Sequence, residues 1–309
     1  MALGAHKTIV FPVVPFGLLP IKYNYAMFQP TLLQPIDYLV VGHLTCDQTP
    51  AGYRLGGTAA YATLTARALG LRTGVVTSWG SEIPLGPLSD LPLINFPSEH
   101  STTFENIQTP HGRIQYVHQN AQAINLNLIP DAWRTASIVH LGPILQEVEP
   151  ALVRHFPAAL IGVTPQGWLR TWGEDGRVRS CEWPEASFVL QRAGAAVISS
   201  SDVDEDENRI EEMAASCRIL AVTEAYQGAR LYWHGDVRRF RPPIVYDELD
   251  STGAGDIFAA AFFTRLYTTR DPWEAARFAT QLAAFSVTRL GLDGIPTPDE
   301  IQECLVEVL

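Results

Sequence analysis

Lysine is almost absent. Lys7 and Lys22 are the only two in 309 residues, so nothing beyond position 22 carries an ammonium group. That excludes a Walker A phosphate lysine, the strand lysine of protein kinases and the Schiff-base lysine of pyridoxal chemistry. Any phosphate held by this chain must be held by backbone amides, arginine or a metal ion. Cysteine is scarce too: Cys46, Cys181, Cys217 and Cys304 form no CxxC and have no histidine at zinc spacing. They read as free thiols of a reducing, cytoplasmic compartment. The eight histidines form no HExxH pattern, which removes that catalytic zinc site. Basic residues are outnumbered, 22 against 33 acidic ones, for a net charge of -11. A nucleic-acid scaffold would call for a basic face, so that partner is not expected. An anionic nucleotide remains compatible, because local amides, arginines and a metal can outweigh the global field. A membrane partner is not expected either. The apolar stretch from Ile9 to Leu19 is broken by Pro12 and Pro15 and is too short to span a bilayer.

What is present begins to look regular only after the first thirty or so residues. Prolines at 12, 15, 20 and 30 mark residues 1–33 as an irregular N-terminal extension, with Met27 as an alternative start. Residues 34–309 read as one domain. Tyr38-Leu39-Val40-Val41-Gly42 is a short apolar run suited to a strand buried on both faces. A small-residue helix follows Gly56-Gly57 to about Leu69, and Thr73 to Trp79 is a second strand. The alternating stretch from Ser101 to Val117 suits an exposed antiparallel ribbon. Further strands are predicted at 137–141, 160–164, 195–199 and 218–223. Helices are predicted near 150–156, 204–216, 254–266, 273–288 and 298–308. This alternation predicts an α/β fold with a doubly wound, mostly parallel sheet. The ribbon, with a segment near 48–56, would form a small β-ribbon lid.

The strongest local signal is Asp250-Ser251-Thr252-Gly253-Ala254-Gly255-Asp256, followed by the apolar run Ile257 to Phe263. The glycines let a backbone loop approach an anion, and the following helix adds free N–H groups and the positive end of its dipole. Gly253, Ala254 and Gly255 thus form an anion hole that needs no lysine. Asp256, in the first helical turn, can take a proton from an incoming hydroxyl.

The D-x-x-G-A-G-D run resembles the signature of the ribokinase-like (PfkB) carbohydrate kinases, in which the last aspartate is the catalytic base. Other segments follow in that family's order. Gly42 to Asp47 resembles the first strand and its substrate aspartate, and Gly56-Gly57-Thr58-Ala59-Ala60-Tyr61 the first glycine signature, with Tyr61 where asparagine is frequent. Thr164-Pro165-Gln166-Gly167-Trp168-Leu169-Arg170 is similar to D-x-Q-G-x-x-R, with Thr164 replacing the aspartate. Ser199 to Asp202 resembles a variant of N-x-x-E, and Thr223-Glu224-Ala225-Tyr226-Gln227-Gly228 resembles T-x-G-x-x-G with Ala225 in place of the first glycine.

The resemblance implies an ATP-dependent phosphotransferase acting on a sugar or polyol, with an inositol-like acceptor favoured. It assigns acceptor contacts to Asp47, Gly56, Gly57, Gln166, Arg170 and Arg113, and nucleotide contacts to Thr223, Gly228, Thr252 and Ser286. It implies Mg2+ held through water by Asp202, and a monovalent cation such as K+ at Asp250. It also implies a homodimer formed through the lid. Nucleosides, with Tyr53, Phe104 or Tyr116 as an aromatic platform, and sugar phosphates, with Arg54 and Arg113, stay open as acceptors. So does a catalytically silent member that binds a small ligand.

Overall fold

The computed structural model describes residues 33–305, apart from Ile83, Pro110 and His111. Met27 and, save for Leu33, the whole extension over 1–33 lie outside the described residues. Tyr38–Val41 (β1) and Thr73–Trp79 (β4) are buried along their full length, as strands covered on both faces must be. Between them, Thr45–Thr49 (β2) and Gly52–Gly56 (β3) make a hairpin, and Thr58–Ala68 (α1) returns across the sheet. Leu93–Pro97 (β5) is followed by the ribbon Thr102–Thr109 (β6) and Gly112–Gln119 (β7). Next come Ile138–Leu141 (β8), Leu160–Val163 (β9) and a short hairpin, Arg170–Trp172 (β10) with Val178–Ser180 (β11). Ala186–Leu190 (α2), Ala195–Ser199 (β12), Glu207–Ser216 (α3) and Ile219–Thr223 (β13) continue the alternation. The hairpin Ala229–Trp233 (β14) and Asp236–Phe240 (β15) precedes the helices Ala254–Thr269 (α4), Pro272–Ser286 (α5) and Pro298–Leu305 (α6).

Among the described residues the large sheet has nine strands in the order β15-β14-β13-β12-β9-β8-β1-β4-β5. The β13–β14 and β14–β15 pairs are antiparallel and the rest are parallel. From β1 the chain moves outward on one side through β4 and β5, then resumes on the other flank at β8. β1 is therefore the switch point, and sheets of this kind bind ligands beyond the carboxyl ends of the strands at that crevice. One face of the sheet is packed by α1, α4 and α5, the other by α2 and α3. Helix α4 is buried on nearly every side, since it lies against α1, α5 and several strands.

The ribbon extends into a second sheet of order β3-β2-β6-β7, a smaller layer consistent with a lid. Its β7 edge is partly covered, because the Val117 N–H donates to the Gly176 carbonyl at 2.8 Å and Tyr116 bridges to Arg177. Phe104 is buried with Val117, Ile144 and Leu145 at the base of this sheet, so it is no open aromatic platform. Residues 150–154 form a 3₁₀ turn where the pattern suggests an α-helix; Pro157 bars the helix from continuing. Among the described residues no helix is long and apolar enough to cross a membrane. The four cysteines are free, with Cys46 and Cys304 buried.

Candidate active site

Four strands deliver residues picked out in the sequence to one edge. Asp47 follows β1, the 164–170 segment follows β9, Asp202 follows β12, and Thr223 ends β13; Gly142, after β8, lies between the first two. The loop 250–256 runs into α4, whose Asp256 feels Asp47, Arg170 and Asp202.

Gly253 caps α4 with φ +80°, a left-handed conformation that favours glycine. A Cβ there would fall among Cδ1, Cε1 and Cζ of the Tyr61 ring. Tyr61 is buried under the loop, so its ring supports the anion hole. Burial and the neighbouring Asp47, Asp256 and Asp250 carboxyls push its hydroxyl pKa up, and Arg54 pulls it down. A Cβ at Gly255 would meet nothing within 4 Å, which leaves that face open. The Ala254 N–H reaches the Ser251 carbonyl at 3.2 Å, and no side chain caps the first turn. Asp250 ties the loop down: it accepts from the Thr252 N–H at 2.9 Å and the Gly291 N–H at 3.0 Å. Burial would raise its pKa, but those bonds and the Arg54 guanidinium outweigh burial and lower it. Arg54, on the lid strand β3, stands 3.8 Å from it, so lid and loop meet through this pair.

Asp256 is half-buried, and its Oδ1 accepts from the Thr58 hydroxyl at 2.6 Å. Burial pushes its carboxyl up to about 6, against the Thr58 bond and Arg170, which lower it; Asp202 and Asp47 raise it. An aspartate poised near neutrality suits proton abstraction from an alcohol.

On the lid side, the Asp47 Oδ1 accepts from the Thr45 hydroxyl at 2.9 Å. A Cβ at Gly56 would lie 2.5 Å from Asp47 Oδ2, so only glycine lets strand β3 pass that carboxyl. Gly57, at φ +87°, turns the chain into α1. Gln166 donates to Asp202 Oδ1 at 2.9 Å, while Asp202 Oδ2 accepts from the Ser199 N–H at 2.9 Å in a capping box. Arg170 lies close enough to Asp256 to act on its titration. Arg113 sits on β7 opposite Gln108, with its side chain outside what the structure describes.

On the other side of the edge, Thr223 donates to the Ile198 carbonyl at 3.3 Å. Gly228 turns at φ +93° against the Phe240 carbonyl. Ala225 adopts φ +49°, the left-handed conformation that the glycine it replaces would hold without strain. Ser286 is buried and donates to the Ala283 carbonyl of its own helix at 2.8 Å, so the structure does not bring its hydroxyl to the open edge. Among the described residues no group of three or more His, Cys, Asp or Glu is placed to hold a metal ion.

Three supports of the site carry little sequence signal. Thr58 is one residue of a small-residue motif, and only the packing of α1 against α4 brings it to Asp256. The Glu147 carboxyl is buried and accepts from the N–H groups of His43 at 3.0 Å, Ile144 at 2.9 Å and Leu145 at 2.7 Å. It thereby joins the loops after β1 and β8. Beneath them, buried His140 links the Tyr38 hydroxyl at 3.1 Å to the Thr164 hydroxyl at 2.9 Å. Burial drives the His140 pKa down to about 3, so the imidazole is neutral. Thr164 thus serves a buried neutral network, where an aspartate would bring a charge that has to be compensated.

Residues 182–299 match the family described as pfkB family carbohydrate kinase. The chain is 27% identical over 200 residues to a probable fructokinase-4 of Arabidopsis thaliana, covering 58% of this chain and 60% of that one. It is 40% identical over 87 residues to a ribokinase of Bacillus subtilis (strain 168), covering 28% of this chain and 29% of the relative. The chain thus spans less than two thirds of both these relatives. The solved structure of a pyrophosphate-dependent kinase in the ribokinase family, complexed with a pyrophosphate analog and myo-inositol, superposes with a TM-score of 0.71 at 18% identity. That superposition covers 87% of this chain and 100% of the other. The chain therefore carries pfkB family carbohydrate kinase sequence over residues 182–299, set in a ribokinase-like fold.

Proposed function

We propose that this protein transfers the terminal phosphoryl group of ATP to a hydroxyl of a small sugar or polyol, with an inositol-like acceptor favoured. One observation carries the reading: a half-buried carboxyl, Asp256, raised to about 6, stands on the helix whose open, glycine-lined first turn can receive an anion. The acceptor hydroxyl faces Asp256, and Asp47 on the lid side accepts hydrogen bonds from its other hydroxyls. As the acceptor oxygen bonds to the γ-phosphorus, the bond to the bridging oxygen breaks, ADP leaves and the proton passes to Asp256. The amides of Gly253 and Gly255 take the charge of the transferred group, the Ala254 N–H being held by the Ser251 carbonyl. Asp202 already uses both oxygens in hydrogen bonds, and its remaining lone pairs suit a water-mediated magnesium, which when bound would neutralise donor charge. Arg170 adds a fixed cation near the transfer point.

Supporting this reading are the family match over 182–299 and the kinases among the relatives. The test is release of ADP over a panel of inositols, sugars and nucleosides, run in parallel with pyrophosphate as donor. Acceptor-dependent ADP that disappears in Asp256→Asn supports the proposal. No acceptor-dependent product with any donor points to a silent ligand-binding protein, and product with pyrophosphate alone overturns the choice of ATP.

A further inference from the structure

Asp256 has two oxygens, and the fold treats them differently. Oδ1 accepts from the Thr58 hydroxyl at 2.6 Å, while no hydrogen bond to Oδ2 is formed among the described residues. Thr58 is 2% exposed and opens α1 directly after Gly57, whose φ of +87° sets the direction of the helix. A Cβ on Gly142 would lie 2.5 Å from the Thr58 Cγ2. The missing side chain at 142 is thus what makes room for the Thr58 methyl. With the methyl lodged there, the β-branched side chain has little rotational freedom, and its hydroxyl stays aimed at Asp256.

We propose that Thr58 is a positioning residue that occupies Oδ1 of Asp256 and thereby makes Oδ2 the oxygen that receives the acceptor's proton. This rests on the reading of Asp256 as general base. The Thr58 hydroxyl can donate to Oδ1 both before transfer, when the carboxyl is ionised, and after it, when Oδ2 carries the proton. The carboxyl therefore need not turn during the reaction, and the receiving lone pair is set before the acceptor arrives. The same bond favours the ionised form, opposing burial. The other groups that bear on this carboxyl are Asp202 beyond β12, Asp47 on β2 and Arg170 on β10. Two hydroxyls join them, Tyr38 on β1 and Tyr61 on α1, whose own titrations feel the Asp256 charge.

The experiment compares Thr58→Val, which keeps the shape and loses the hydroxyl, with Thr58→Ser, which keeps the hydroxyl. The readouts are kcat, the donor KM and the pH profile of kcat/KM for the acceptor identified in the panel. Thr58→Val should lower kcat about tenfold at pH 8, the loss of one hydrogen bond to a charged group. It should also move the acid limb upward by about one pH unit, because a donor to the ionised form is gone. Thr58→Ser should restore the limb, and the donor KM should hold in both. A Thr58→Val enzyme with the wild-type limb overturns the proposal, whether its kcat falls or not. If Thr58→Val does not fold, Thr58→Ala removes the same hydroxyl without adding bulk and takes its place. Asp256→Asn, run alongside, separates the two ideas: if it stays active, the base itself is misassigned, whatever Thr58 does.

Discussion

Gly253 stands against the ring of Tyr61, so close that the first atom of any side chain on Gly253 would overlap three ring carbons. Backbone conformation and packing demand glycine there together, since φ is +80° as well. Gly253→Ala should therefore displace the loop and cost about 100-fold or more in kcat, the scale of a lost anion-hole donor. Gly255 differs: a methyl there meets open space. Gly255→Ala should melt no lower than the parent and should raise the donor KM by intruding where the phosphate lies. Steady-state kinetics and melting curves on the two variants check this, and full turnover by Gly253→Ala would sink it.

Asp256 sets activity against stability. Asp256→Asn should lose about two to four orders of magnitude in kcat as the base disappears. The folded carboxyl keeps its proton to about pH 6, whereas the unfolded one releases it near 3.8. A raised acid costs the fold stability as pH rises through that window; the cost is absent below it and complete above it. Asp256→Asn should thus be more stable than the parent at pH 8, by up to about 3 kcal/mol, and equal to it near pH 3.5. Urea denaturation at the two pH values measures the difference. The activity of the parent should fall as pH drops through about 6.

Ala225 holds a left-handed backbone at φ +49° with no side chain that benefits from it. Ala225→Gly should relieve that strain and stabilise the protein by about 0.5–1 kcal/mol, the strain relieved being partly offset by the extra freedom of glycine in the unfolded chain. The shift in the denaturation midpoint reads it directly. No gain, or a loss, would show that position 225 is not strained.

Glu147 satisfies three backbone N–H groups in a buried corner between two site loops. Glu147→Ala would orphan all three and should cost about 3–5 kcal/mol. Glu147→Gln should cost less, roughly 1–3 kcal/mol, because one amide oxygen can still accept while the NH2 group opposes a remaining donor. Hydrogen exchange at His43, Ile144 and Leu145 should quicken in both variants, and unaltered protection would contradict the assignment.

Much of the fold is legible in the chain. The apolar run at 38–41 and the Val- and Thr-containing stretch at 73–79 suit strands covered on both faces, and their alternation with helices points to a parallel sheet. Less regular stretches carry weaker local signals. Leu93–Pro97 pairs only at the edge of the sheet, and its half-exposed residues show no strong period. The segment near 48–56 is expected in the lid, but that β2 joins it by pairing with β6 is a contact between distant segments. The site divides the same way. The 250–256 run announces its glycines and its aspartate, because a loop that approaches an anion needs those residue types in a row. By contrast, Ser286 and Gln166 have the right chemistry for contact, and their hydrogen bonds to Ala283 and Asp202 became visible only once their neighbours were in place.

The amino-acid sequence alone determined that phosphate could not be met by lysine beyond position 22, and that residues 253–256 combine an anion loop with a carboxyl on a helix. These are local facts, set by residue type and spacing along the chain. Tertiary structure alone decided which oxygen of Asp256 is held, why Gly253 must lack a side chain, and that Arg54 joins the lid to Asp250. Thr58 is 198 residues from Asp256 in the chain, and Tyr61 and Arg54 are about as far from the loop they meet. Such pairs are created by the packing of α1 and the lid against α4 and its loop, and no local pattern encodes them.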